Sequence, residues 1–193
     1  MIIIIDVTNK KGSVLAKHTS EESITWNKGR HAEILGTYLE QLTRSKTISK
    51  IGVVTGPGSF TGIRIGISIA MGIRSALGVP LFAASKFDLA WGLLNDTATN
   101  GILFPAMRGS FYTQTSKEQP IMLLHDDNFS GTWYGSGPDL PDGTQPLPDL
   151  STFFLKQIEK DLIHPVKHPV PLYVRPPDAK AGIPLIERLL NKA

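Results

Sequence analysis

Thr55-Gly-Pro-Gly-Ser-Phe-Thr-Gly-Ile-Arg-Ile-Gly66 decides how this chain folds. It follows a short apolar run, Ile51-Gly-Val-Val54, and opens a helical pattern that continues to Leu77. Proline presets one backbone dihedral and glycine permits positive φ, so Gly56, Pro57 and Gly58 make a turn. Ser59 or Thr61 can cap the following helix by accepting a hydrogen bond from its free N–H groups. Strand, glycine turn and capped helix together form an arrangement that often cradles phosphate. No Gly-Lys-Ser/Thr follows the turn, so this is not a Walker A loop. The plainer reading is a tight strand-to-helix connection with close packing.

Upstream, Ile2 to Ile5 are four consecutive β-branched residues, suited to a central strand covered on both faces. Asp6 ends that strand and a polar turn follows. Gly12–Ala16 and Ser23–Trp26 read as two further strands of an antiparallel meander. Arg30-His31 begins a helix with Ile34, Leu35, Tyr38, Leu39 and Leu42 on one apolar face. Lys50–Val54 is the strand that feeds the glycine turn.

Within the helix Thr61–Leu77, Gly62, Gly66 and Ala70 fall four apart and line one narrow face. Glycine costs roughly 0.5–1 kcal/mol in a helix interior relative to alanine. Gly62, Gly66 and Gly72 therefore need an external reason. The spacing alone leaves two reasons level: tight packing on the chain's own sheet, or close approach of a partner helix.

Gly78-Val-Pro80 stops the helix. Leu81–Ala84 reads as a short strand, and Ser85 as the cap of a helix over Phe87–Leu94. The polar connector Asn95–Gly101 divides the chain at about residue 100, into segments 1–100 and 101–193. The second segment reads as strands at Ile102–Phe104, Ser110–Gln114, Ile121–Leu124 and Thr132–Tyr134, with Arg108-Gly109 as a hairpin turn. A loop over 135–149 precedes a helix at Ser151–Leu162, with Phe153, Phe154, Gln157, Ile158 and Leu162 inward. An extended proline-rich stretch, Pro165–Pro177, and a helix over Ile183–Leu190 close the sequence. No sequence repeat appears.

Bulk composition excludes several classes. The chain has 193 residues, 41% of them hydrophobic, enough for a buried core. Its formal charge is +3 and its pI about 9.1, with Lys and Arg scattered along the chain, where a nucleic-acid patch would need them gathered on one face. There is no cysteine, so disulfides, thiolate metal sites and a cysteine nucleophile are ruled out. The apolar run at the N-terminus is too short to span a bilayer and lacks the basic flank of a signal peptide. The expectation is a soluble, cytoplasmic protein.

No catalytic set assembles. His164 and His168 are four apart, but Pro165 and Pro169 oppose a helix that would bring them to one metal. His18, His31 and His125 stand alone. Gly58-Ser59-Phe-Thr-Gly62 lacks the spacing of a nucleophile elbow. Asp126 and Asp127 are adjacent, so on a strand they point to opposite faces.

The motifs do, however, resemble a family. Gly56-Pro-Gly-Ser-Phe-Thr-Gly-Ile-Arg64 looks like the signature of the bacterial TsaB proteins, also called YeaZ. Ile4-Ile-Asp6 to Ser13-Val-Leu15, Arg108-Gly-Ser-Phe-Tyr112 and Tyr173-Val-Arg175-Pro-Pro-Asp-Ala179 resemble three further stretches of that family, in order. The resemblance implies an α/β fold of the actin/Hsp70/sugar-kinase (ribonuclease H-like) kind. It would have an N-terminal lobe at 1–100 with dimerisation helices and a reduced C-terminal lobe at 101–193. It implies a non-catalytic subunit, without cofactor or metal. That subunit would pair with the related TsaD protein and the ATPase TsaE for threonylcarbamoyl transfer to the tRNA adenosine beside the anticodon. Contact with tRNA would be indirect, and the chain alone would form a homodimer or remain a monomer.

The implied partner surface lies on the helices corresponding to His31–Arg44 and Thr61–Leu77. Its residues are His31, Leu35, Tyr38, Gly62, Arg64, Gly66 and Ala70, which tips the glycine stripe toward a partner. The family motif loop is Gly56, Pro57, Gly58, Ser59, Phe60 and Thr61. TsaD carries a His-x-x-x-His metal motif that aligns here with Lys86 and Ala90, and neither supplies a lone pair. Two departures stand out: the first turn reads Asp6-Val-Thr-Asn9 and not Asp-Thr-Ser-Thr, and Ala106-Met-Arg-Gly109 lacks one arginine of the usual hairpin. The competing expectation is an ATP-dependent phosphotransferase or a peptidase of the same superfamily.

Overall fold

The computed structural model describes residues 1–9, 11–27, 29–94, 99–125 and 129–174. Asp126–Asp127, Arg175–Ala179, the helix expected over Ile183–Leu190 and part of the Asn95–Gly101 connector lie outside the described residues.

The four isoleucines form β1 (Ile2–Asp6), the centre of a five-stranded sheet. β2 (Gly12–Lys17) and β3 (Glu21–Trp26) continue from it as an antiparallel meander. On its other side lie β4 (Lys50–Val54) and β5 (Leu81–Ala84), both parallel. Parallel neighbours require crossovers. These are α1 (His31–Ser45) and α2 (Phe60–Leu77). The sheet order is β3-β2-β1-β4-β5.

Side chains alternate across a strand. Ile3 and Ile5 accordingly enter one core with Leu35, Leu39 and Leu42 of α1 and Ala70 of α2. Ile4 enters a second core on the opposite face, with Phe154, Leu155 and Ile158. Those three belong to α4 (Leu150–Glu159), which packs on the first sheet although it follows the second in sequence. Burying a side chain the size of Phe154 stabilises the fold by about 1.5–3 kcal/mol. Asp149 caps α4, its Oδ1 accepting from the Ser151 N–H at 2.9 Å.

The second sheet has the order β10-β9-β6-β7-β8. β6 (Gly101–Pro105) is central, β7 (Phe111–Gln114) and β8 (Met122–Leu124) form the antiparallel meander, and β9 (Trp133–Gly135) and β10 (Gln145–Pro146) are parallel. Read from the meander side, this repeats the topology of the first sheet strand for strand. The sequence shows no repeat because the second copy has short strands and carries a loop at 136–144 where the first has α2. α3 (Lys86–Leu94) lies between the sheets, giving Leu89 to the first and Phe87, Ala90 and Trp91 to the second.

Three sequence expectations are corrected. Gly62, Gly66 and Ala70 are buried on the chain's own sheet, as is Leu35, which is fully inaccessible; none of the four is on a surface. α4 ends at Glu159, before Leu162, which is 61% exposed. Leu155, outside the expected inward set, is fully buried, while Gln157 is only half-buried. α2 also begins one residue early, at Phe60, with Ser59 as its cap. It is long and apolar enough to cross a membrane by length and composition, but it packs one face on β1 and β4.

Candidate interaction site and the glycine loop

The glycine loop is built from three touching pieces of backbone. Asp6 Oδ1 accepts from the Thr8 N–H at 2.9 Å and from the Thr8 hydroxyl at 2.6 Å, which folds the first turn back on itself. The Ser59 N–H donates to the Thr8 carbonyl at 2.6 Å. The Lys86 N–H donates to the Gly56 carbonyl at 2.7 Å. Ser59 Oγ then accepts from the Gly62 N–H at 3.2 Å, capping α2.

Two glycines allow this approach. At Gly58 (φ +157°) a side chain would overlap the Thr8 carbonyl, and at Gly62 it would overlap the Val7 carbonyl. At Gly66 it would come within 2.8 Å of the Val7 side chain. The chain's own first turn is therefore packed directly against the loop and the start of α2, and the loop positions α2.

Lys86 stands next to this knot. It is 5% exposed, its Nζ donates to Asn9 Oδ1 at 2.7 Å, and it lies 5.7 Å from the centre of the Phe104 ring. Burial lowers its pKa below the ordinary 10.5, against the opposing pull of the Asp6 carboxylate. The Ala90 side chain, fully buried, has no donor for a metal. Among the described residues no cluster of three or more His, Asp or Glu could hold a metal ion.

The Lys86 shift has a measurable consequence. Between its lowered folded value and 10.5 the unfolded chain binds more protons than the folded one, so stability rises with pH across that window. Lys86→Met removes this titration. In urea unfolding, the stability of the parent chain relative to Lys86→Met is expected to grow from neutral pH toward pH 10. A difference that stays flat contradicts the lowered pKa of Lys86 in the folded chain.

With Gly62, Gly66 and Ala70 turned inward, the opposite face of α2 is the open one. Thr61, Arg64, Ser68, Gly72 and Ala76 are exposed, and a side chain at Gly72 would meet nothing within 4 Å. Ser68, Gly72 and Ala76 form a second stripe of small residues, again four apart. Only knowledge of which stripe faces the sheet separates the two, and the spacing does not carry it. Beside the stripe lies an open groove of about 370 Å³, lined by Ala32 of α1 and by Phe60, Arg64, Ile65 and Ile69 of α2. The Arg64 guanidinium lies 5.4 Å from the centre of the Phe60 ring, whose other neighbour is Tyr173 at 4.7 Å. Gly36 of α1 also faces open space.

Of the remaining expected residues, His31 and Tyr38 are half-buried, and His31 Nδ1 accepts from the Trp26 indole at 2.8 Å. Gly56 and Pro57 are buried, while Ser59 and Thr61 are exposed. His164 and His168 are both exposed, without metal-site geometry. The Thr8 carbonyl, which ties the first turn to the loop, and Asn9, which ties it to Lys86, stand in the sequence only as part of the altered turn Asp6-Val-Thr-Asn9.

Residues 26–107 match the family model described as TsaD, tRNA N6-adenosine threonylcarbamoyltransferase. A Bacillus subtilis (strain 168) protein named tRNA threonylcarbamoyladenosine biosynthesis protein TsaB is 38% identical over 69 residues. That match covers 34% of this chain and only 29% of the relative. Two solved structures from Pseudomonas aeruginosa share the fold. One is described as an uncharacterized protein with similarity to peptidase YEAZ (TM-score 0.64, 18% identity, 90% of this chain and 99% of the other). The second is YeaZ itself (TM-score 0.62, 16% identity, 89% and 98%). The α/β fold of two mixed sheets is thus the YeaZ fold, as the motifs led one to expect.

Proposed function

We propose that this chain is of the TsaB/YeaZ kind and acts as a non-catalytic subunit of the machinery that forms threonylcarbamoyladenosine on tRNA. In this reading it binds a TsaD-type transferase through the outward faces of α1 and α2. The reading rests first on the glycine loop, which is packed against the chain's own Val7 and Thr8 backbone. A loop spent on positioning a helix leaves the helix as the functional element.

The outward face supports a helix-to-helix contact. Ser68, Gly72 and Ala76 let another backbone approach closely, and the groove beside Phe60 and Ile65 offers apolar area for an anchoring side chain. The same face serves a homodimer when no partner is present. A TsaE-type ATPase joins the assembly, tRNA is met through the partner, and the work is done in the cytoplasm. Activation of the partner follows if this face fits its active arrangement better than its resting one.

The test is threonylcarbamoyl transfer to tRNA by the TsaD-type protein of the same organism, with and without this chain. Transfer that needs both proteins, with none from this chain alone, supports the proposal. Transfer by TsaD at full rate without the chain, or ATP turnover by the chain alone, overturns it.

A further inference from the structure

We propose that the cavity between the two sheets binds a small zwitterion of the α-amino-acid class. The ligand carboxylate would lie on the Lys86 ammonium and its ammonium group on the Asp6 and Asp149 carboxylates. The cavity holds about 190 Å³ and is lined by Asp6, Lys11, Ser13, Lys86, Asp149 and Ser151, among others. Its volume is below the roughly 300–1,000 Å³ of sites for drug-sized ligands, which limits the ligand to a few heavy atoms.

Charge decides the class. Two lysines and two aspartates line the space, so the charges of its lining balance, and Phe104 and Leu150 add apolar wall. A simple anion placed there faces two carboxylates, and a simple cation faces two ammonium groups. A molecule carrying both charges answers each pair.

The groups also have capacity to spare. The Lys86 ammonium has three N–H donors, and Asn9 Oδ1 takes one. Burial lowers its pKa against the pull of Asp6, and a ligand carboxylate beside it would favour the charged form. Asp6 spends Oδ1 on Thr8, while its Oδ2 has no hydrogen-bond partner among the described residues. Asp149 accepts one bond on each oxygen, from Ser151 N–H and the Thr152 hydroxyl, and each carboxylate oxygen has room for another. Ser13 and Ser151 add hydroxyls, and the Phe104 ring closes one wall.

The experiment titrates the full chain in phosphate-free buffer with glycine, acetate, methylammonium and inorganic phosphate separately, followed by calorimetry and by melting temperature. Glycine is expected to bind saturably and raise the melting temperature, while acetate and methylammonium at equal concentration do neither. Lys86→Met and Asp6→Asn are each expected to weaken glycine binding by about tenfold or more, the worth of one charge-assisted hydrogen bond. Amide NMR of the unmodified chain needs no variant, and its glycine-induced shifts must concentrate at Gly12, Ser13, Ser136 and Ser151. Absence of saturable glycine binding, shifts centred elsewhere, or acetate or phosphate binding as tightly as glycine each overturn the proposal.

Discussion

Gly62→Val is expected to destabilise the chain by at least about 3 kcal/mol, read as a lowered urea midpoint of the isolated protein. Valine is no worse than glycine as a helix former, so propensity does not oppose the substitution. The steric effect does. A side chain at Gly62 overlaps the carbonyl oxygen of Val7, a backbone atom at the end of β1. Val7 is 1% exposed, and its neighbour Thr8 is held by the Ser59 N–H and by Asp6. No flexible side chain stands there to move aside, and overpacking of that kind costs typically 1–3 kcal/mol and sometimes more. Gly66→Val meets the Val7 side chain and is expected to lose less, about 1–3 kcal/mol. A Gly62→Val chain as stable as the parent contradicts the inward placement of this stripe.

Ser68→Arg and Gly72→Arg are expected to do the opposite. Both positions are exposed, and Gly72 has open space beyond its Cα. Arginine is a good helix former, so Gly72→Arg should gain roughly 0.5–1 kcal/mol of stability. The same substitution fills the small-residue stripe that lets a second helix approach. Loss of close backbone packing at the centre of an interface removes at least about 2.8 kcal/mol of binding, or about 100-fold in affinity. Stability preserved with binding lost distinguishes a docking face from a core face, and it reverses the pattern expected at Gly62.

Much of the first half was legible in the sequence. The Ile2–Ile5 run, the Lys50–Val54 strand, the Leu81–Ala84 strand and the Gly78 stop all fall where β-branching, turn chemistry and capping place them. The orientation of α2 was not legible, because 62/66/70 and 68/72/76 are equally good stripes of small residues. Which one meets the sheet depends on how Val7 continues beyond β1, a tertiary fact. Leu162 misled for a related reason. It continues the i, i+4 pattern from Ile158, but Asp161 is left-handed at φ +52° and the chain has already left α4. β10 is two residues long, too short for any period to distinguish it from the loop around it.

The two-sheet repetition also escaped sequence reading. Topology repeats here without residue repetition, since pairing order depends on backbone direction and not on side-chain identity. The glycine motif, by contrast, is distinctive in sequence but chemically ambiguous. Glycines that admit a phosphate also admit a carbonyl oxygen, and in this chain the carbonyls of Val7 and Thr8 pack against them.

The most direct test of the central claim is the size of the complex formed when the chain is mixed with the TsaD-type protein of its own organism, measured by light scattering on a sizing column. The parent chain should co-elute as a stoichiometric complex, and folded Ser68→Arg and Gly72→Arg chains should elute alone. Co-elution of either folded variant at full affinity would contradict docking through the outward face of α2.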